Sequence, residues 1–473
     1  MVDAAVMAEL SAALGPKGLT TDPADIEPWT TDWRKLYRGS AAALAQPASV
    51  AEVQAVMTIA ARHGIPLVPQ GGNTSMVGGA TPDDSGRAII VSLRRMNAIR
   101  MLSPEAGIVV AEAGVVLSNL HDAARAQGMR FPLSLGARGS ATVGGLVSTN
   151  AGGTQVLRFG TMRRLVLGVE AVLPDGTLYE GLAALKKDNR GYDLTQLLIA
   201  SEGTLGIVTA ASLSIVPDVQ DRAVAWLAVD SPDAALDCLR SMEAASGDAI
   251  ESFELIPDTS LRLVLTHIPG TRAPLEGDHP WHVLIEYVRS NADQPVPAAA
   301  LEALLAREFE AGRVRDAAIA ASEAQAEAFW KIRESISEAE RAHGPAMQHD
   351  ISVPVEDMPR FIRDASVAVE RAFPGVWVNA YGHLGDGNVH FHVRAPEGCV
   401  DPNWRTTTGK AASRMVYDLV TAAGGSISAE HGIGQMKRDE LGRLASPARI
   451  GALRAIKSAL DPRGIMNPGK LVP

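Results

Sequence analysis

Apolar positions along the chain change period several times, and the period sets the first expectations. Val50, Val53, Val56, Met57 and Ala60 recur at three- and four-residue spacing, which predicts a helix that stops at Gly64, ahead of Pro66. The runs that follow predict strands over 65–69, 88–93 and 108–113, a helix from Leu117 that ends at Gly128, and strands around 166–173 with a turn at Pro174-Asp175-Gly176. Past Pro217 the character changes: a strand over 223–229, a helix capped by Ser231 with Pro232 behind it, a strand over 281–289 and a helix over 322–342. Residues 376–380 read as a strand, and 389–394 alternate apolar with polar as a half-buried strand does. The opening segment 1–15 predicts an amphipathic helix, followed by a turn at Gly15-Pro16 and an aromatic stretch from Trp29 to Tyr37. The expected fold class is α+β, divided into 1–217 with a compact core from about 45, then 218–425, then 426–473.

Composition narrows the function classes. With 473 residues and 46% hydrophobic content the chain can build more than one large core. A net charge of −10 and a pI near 5.6 argue against a broad basic face, so no nucleic-acid partner is expected. Cys238 and Cys399 are too few for a disulfide framework or a thiolate metal site, which fits a reducing compartment. The first cation is Lys17, so the opening segment lacks the basic start of a signal peptide. No uncharged run reaches the roughly 18 residues of a spanning helix, and the expected location is cytoplasmic or peripheral to a membrane.

Three glycine-rich stretches then stand out. Gln70-Gly71-Gly72-Asn73-Thr74-Ser75-Met76-Val77-Gly78-Gly79 directly follows a predicted strand. Glycines there let consecutive N–H groups converge on an anion without a cationic side chain, which suits a dinucleotide in an acidic protein, although a plain surface loop could look similar. The stretch from Pro132 through Gly136, Gly139, Gly144 and Gly145 to Gly153 carries so many small residues that a large flat ligand lying against backbone is implied; tight helix–sheet packing explains only some of them. The third is Lys187 to Asp193 followed by Ser201-Glu202-Gly203-Thr204-Leu205-Gly206-Ile207-Val208.

The richest chemistry lies in Tyr381-Gly382-His383-Leu384-Gly385-Asp386-Gly387-Asn388-Val389-His390-Phe391-His392, with Ala429-Glu430-His431-Gly432 further on. A hairpin folded at Gly385-Asp386-Gly387 can bring His383 and His390 together. Two imidazoles with Glu430 suit a divalent transition metal that keeps an open position, and His431 beside it is a natural proton acceptor. For any single histidine, a core imidazole bonded to a backbone carbonyl is the alternative.

The three loops, in this order, resemble the FAD-binding domain of the vanillyl-alcohol oxidase superfamily across most of 45–217. That resemblance implies a two-subdomain FAD-binding domain over 1–217, a substrate-binding cap over 218–425 and a C-terminal segment returning to the flavin at 426–473. It implies FAD contacts from Pro69, Gly71, Gly72, Asn73, Thr74, Ser75, Gly78 and Gly79, with this first loop on the pyrophosphate. Pro132, Leu133, Gly136, Ser140, Thr142, Gly144, Gly145, Asn150, Gly152 and Gly153 follow from the second loop, and Glu202, Gly206, Ile207 and Asn467 from the rest. Covalent members tether a histidine near such loops; none occurs from Gln70 to Ala80, so the FAD is expected to be non-covalent.

The segments Gly382 to His390 and Ser428 to Gly432 resemble the metal motifs of the FAD-dependent D-2-hydroxy acid dehydrogenases, the group containing D-2-hydroxyglutarate and D-lactate dehydrogenases. By this resemblance His383, His390 and Glu430 hold zinc or manganese and His431 is the base. Spacing places Trp330, Arg333 and Ser337 on one helix face, and the family implies that Arg333 and Ser337 contact substrate. Where the hydroxyglutarate enzymes have a lysine and an asparagine this chain has Gln348 and His392, which argues against strict dependence on a dicarboxylate. The implied reaction takes a D-2-hydroxy acid to its 2-oxo acid, with D-2-hydroxyglutarate first and D-lactate-like acids next. An electron-transfer flavoprotein or a quinone is the implied acceptor, and a homodimer the implied assembly. A flavin subunit of a multi-subunit glycolate oxidase and a non-catalytic flavoprotein are the rival readings.

Overall fold

A computed structural model describes residues 2–473, so of the predicted first helix Met1 lies outside the described residues. The chain forms two compact units. One comprises residues 2–153, 159–218 and 430–473 of those described; the other comprises 154–158 and 219–429.

The first unit holds a four-stranded sheet, a five-stranded sheet and a two-stranded ribbon that pairs Met129–Arg130 with Val216–Pro217. The helix Val50–His63 starts where the Ser49 hydroxyl accepts the Glu52 amide and ends at Gly64, whose φ of 62° closes the last turn. Its face of Val53, Val56, Met57, Ile59 and Ala60 packs on a four-stranded sheet ordered Leu19–Thr20, Ala41–Ala45, Ala88–Ser92, Leu67–Gln70. Ala88–Ser92 runs parallel to both neighbours and is buried throughout, as a strand covered on two faces must be. A five-stranded antiparallel sheet follows, ordered Ile99–Ser103, Ile108–Glu112, Ile207–Ser214, Val166–Val172, Leu178–Gly181, with helices Leu117–Arg125 and Val143–Thr149 in its core cluster. The C-terminal segment joins the first sheet: Met466 bridges Leu67, and the Asn467 amide donates to the Leu67 carbonyl at 2.8 Å.

The second unit is a seven-stranded antiparallel sheet. Its order is Asp316–Ile319, Asp221–Val229, Trp281–Arg289, Ile250–Pro257, Trp377–His383, Asn388–Arg394, Ala346–Ser352. Phe391 meets Phe361 of the helix Met358–Ala372 on one face. On the other, Trp226, Ile256, Leu284 and Tyr381 pack with Phe329, Ile332, Ile336 and Ala339 from two consecutive helices, Glu323–Glu334 and Ile336–His343. The spacing predicts one helix over 322–342; the structure interrupts it at Ser335, which ends the first segment and starts the second without a side-chain cap. A one-residue interruption leaves the apolar period intact, so the pattern cannot show it. Residues 154–158 join this unit because the Ser252 hydroxyl donates to the Thr154 carbonyl and Arg158 pairs with buried Glu251 at 3.1 Å.

Candidate active site

In the second unit the hairpin strands Trp377–His383 and Asn388–Arg394 are joined by a turn in which Gly387 takes a φ of 78°; a Cβ there would stand 2.1 Å from the Val353 carbonyl oxygen, so only glycine fits. Register then decides which side chains share a face. Tyr381 lies opposite His390, Asn379 opposite His392 and His383 opposite Asn388; on the far side Asp350 lies opposite His390 and Gln348 opposite His392. Glu254 lies opposite His383 on the neighbouring strand. Directly paired residues point the same way, so Glu254, Asn379, Tyr381, His383, Gln348, Asp350, His390 and His392 form one polar patch. The His383 and His390 rings are 5.5 Å apart.

Residues of the two consecutive helices also reach this patch. Arg333 places its guanidinium 5.0 Å from the Tyr381 ring centre and donates Nε–H to Glu254 at 2.8 Å, while the Ser337 hydroxyl is 3.1 Å from the Tyr381 hydroxyl. Trp330 turns elsewhere and donates its indole N–H to Glu286 at 2.9 Å. The structure thus brings His383, His390, His392, Gln348, Arg333 and Ser337 onto one surface. Ala429, the last residue of this unit, donates its amide to the Asp350 carbonyl, so the chain leaves the unit beside the His390 rung; Glu430 and His431 follow it in sequence.

Electrostatics divide the patch in two. Burial pushes the Glu254 carboxyl up, but His383 and Arg333 outweigh it and hold the group below the usual carboxylate range. Glu340 behaves alike: burial raises it, and the bonds from His392 at 2.5 Å and Asn379 at 2.9 Å, with Arg394 nearby, bring it below. His390 is driven well below an ordinary imidazole by burial first and by Arg333 and His383 next, so it stays neutral with a lone pair to give. The His383 Nδ1 proton goes to Glu254 at 2.7 Å, the carboxylate–histidine arrangement that orients a metal ligand. The donor set fits a borderline divalent cation such as zinc.

The predicted flavin loops converge within the first unit. A Cβ on Gly72 would stand 2.0 Å from the Ser140 carbonyl oxygen, so the first and second loops touch backbone to backbone. Gly71 approaches Thr142, and Gly203 approaches Pro69. The Glu202 carboxylate accepts the Ile433 and Gly434 amides at 2.7 Å each, and its pKa stays raised because burial outweighs those bonds. Asn467 donates to the Gly79 and Glu202 carbonyls. Asn150 closes its helix at φ 50° and accepts the Arg163 amide, so its side chain shapes the loop. Three buried polar atoms around these loops have no protein partner: Gln70 Oε1, Thr142 Oγ1 and Asn467 Oδ1. Buried groups of this kind call for a bound polar molecule, and the flavin nucleotide's donors and phosphates fit them.

Residues 41–181 match the model of an FAD binding domain, and residues 219–471 match the C-terminal domain of FAD linked oxidases. Mitochondrial D-2-hydroxyglutarate dehydrogenase of Arabidopsis thaliana is 37% identical over 97% of this chain and 80% of its own length. D-2-hydroxyglutarate dehydrogenase of Xanthomonas citri pv. viticola is 36% identical over 98% and 96%. The chain belongs to the FAD-dependent D-2-hydroxy acid dehydrogenase family. Its fold is like that of p-cresol methylhydroxylase, which superposes with a TM-score of 0.75 over 98% of this chain and 96% of that one at 16% identity. Alkyldihydroxyacetonephosphate synthase gives 0.74 over 100% and 86% at 17%. As a member of this family the chain is an FAD-linked oxidoreductase acting on a CH–OH group.

Sequence reasoning missed Glu254, Glu340, Asn379 and Arg394, all buried on or against the patch. One signal was present: Glu254 is a charge in the middle of the otherwise apolar strand end Phe253-Glu254-Leu255-Ile256.

Proposed function

We propose that the protein oxidises a D-2-hydroxy acid, D-2-hydroxyglutarate or a D-lactate-like acid, to the 2-oxo acid. The observation that carries this is the single face bearing a neutral His390, a carboxylate-oriented His383 and Arg333. The loops of the first unit would hold FAD, which would supply the hydride acceptor, and His383, His390 and Glu430 would hold a zinc or manganese ion, which would supply a Lewis acid for the substrate hydroxyl. With Nε on Glu254, the two terminal nitrogens of Arg333 form the fork that takes the substrate carboxylate. Ser337 donates beside it, and Gln348 and His392 meet the substrate's far end. His431 takes the hydroxyl proton on an imidazole nitrogen.

Two cysteines cannot bind an iron–sulfur cluster; by resemblance to the family, electrons leave to an electron-transfer flavoprotein or a quinone. No described helix is long and apolar enough to cross a membrane. By resemblance to the family the working protein is a homodimer, in the cytoplasm or peripheral to a membrane. The deciding experiment is an anaerobic titration of the purified FAD-loaded chain with a panel of (R)-2-hydroxy acids. Its flavin should bleach, whereas His431→Ala should keep FAD and not bleach. A flavin that no acid reduces, or a His431→Ala variant with normal reduction kinetics, sinks the reading.

A further inference from the structure

Glu254 lies outside every glycine-rich loop and both histidine motifs, yet its two carboxylate oxygens diverge onto two groups the proposed reaction needs. Oε1 accepts Nδ1–H of His383 at 2.7 Å, and Oε2 accepts Nε–H of Arg333 at 2.8 Å. The three residues come from three elements: the strand Ile250–Pro257, the strand Trp377–His383 and the helix Glu323–Glu334. Glu254 is 1% exposed, so water is no substitute acceptor. We infer that Glu254 is a positioning residue that fixes the tautomer of His383 and the orientation of Arg333 together, so that metal grip and substrate grip share one carboxylate. The inference rests on the functional reading above and goes beyond it by coupling two groups that the reading uses separately.

Side-chain chemistry makes the coupling testable. An ionised carboxylate only accepts and offers two oxygens, which matches two N–H donors. Glutamine offers one acceptor and one amide donor. If its oxygen faces Arg333, its NH2 meets His383 Nδ1, and the imidazole must carry its proton on Nε2, the nitrogen a metal would need. If it is reversed, Arg333 Nε faces a donor and the guanidinium is displaced. One grip fails in each orientation. Removing the outer partner of a metal-ligating histidine costs roughly 10–100-fold in affinity.

The test uses the full FAD-loaded chain, stripped of metal by a chelator, as wild type, Glu254→Gln and Glu254→Asp. Zinc affinity is read by competition with a chromophoric chelator. Substrate affinity and limiting rate come from anaerobic flavin reduction by D-2-hydroxyglutarate and D-lactate, and FAD content reports folding. Glu254→Gln should keep its FAD and lose roughly 10–100-fold in zinc affinity or in substrate affinity. Glu254→Asp keeps the charge and both acceptors, and so the fold, but is one methylene too short to span both donors; it should weaken one grip and spare the other. Zinc and substrate affinities within about threefold of wild type in both variants, the scatter of uncoupled sites, overturn the inference and leave the functional reading standing. A wild type that binds no zinc and whose flavin no 2-hydroxy acid reduces removes both.

Discussion

Glu340 is the residue whose replacement the structure prices most clearly. Its carboxylate is 1% exposed and takes Asn379 Nδ2–H at 2.9 Å and His392 Nδ1–H at 2.5 Å, with Arg394 Nη1 at 3.6 Å. All three partners are donors and all three are buried. Glutamine in its place has one acceptor oxygen, so at least one donor loses its partner and Arg394 becomes an uncompensated buried cation. Breaking one side of a buried ion pair costs about 3–5 kcal/mol. With a urea slope of about 2–3 kcal/mol per molar, the unfolding midpoint of Glu340→Gln should fall by roughly 1–2.5 M. Five of the seven tryptophans lie in the second unit, so their fluorescence reports the right transition. The carboxyl is held below its ordinary 4.5, so its contribution is full above that pH and is lost as pH falls through the lower folded value. The deficit of the variant should therefore be constant from neutral pH down to about 5 and shrink only below about 4.5. Replacing both charges, Glu340→Leu with Arg394→Met, should recover only the part due to the unpaired Arg394, because Asn379 Nδ2–H and His392 Nδ1–H still lack their acceptor. A midpoint shift under about 0.3 M at neutral pH, with unchanged slope, would refute the argument, because it leaves the network less than about 1 kcal/mol.

Three further outcomes follow from other parts of the molecule. Gly72→Ala, whose Cβ would lie 2.0 Å from the Ser140 carbonyl oxygen, should purify with a lower ratio of flavin to protein absorbance than wild type. His282 is buried against Trp226, and burial first, then His279, outweigh Asp258 and lower its pKa to about 4. The unfolded chain takes up that proton from about 6.5 downward while the native chain resists, so stability should fall between those two values, and His282→Phe should flatten this limb in urea midpoints taken at pH 7 and 4.5. Chelation should suppress flavin reduction by (R)-2-hydroxy acids, and added zinc or manganese should restore it; full activity in a protein that elemental analysis finds metal-free would contradict the proposed role of His383 and His390.

Much of this protein was determined by local sequence. The helix Val50–His63 needs only its apolar period, Ser49 and Gly64, and all three are contiguous, so the expected limits and the observed ones coincide. The hairpin carrying His383 and His390 was legible for the same reason: alternation sets the faces and the glycine turn sets the fold-back. Tertiary structure decided the rest. Glu254 meets His383 across 129 positions of sequence and Glu340 meets His392 across 52, and no period or turn residue encodes a pairing at that range. Strand register made the first pairing by setting Ile250–Pro257 beside Trp377–His383, and packing of the helix Ile336–His343 on the sheet made the second by bringing Glu340 to His392. Local sequence chose the chemical groups; packing chose which of them share protons, because a charge removed from water must be answered by whatever the fold places next to it.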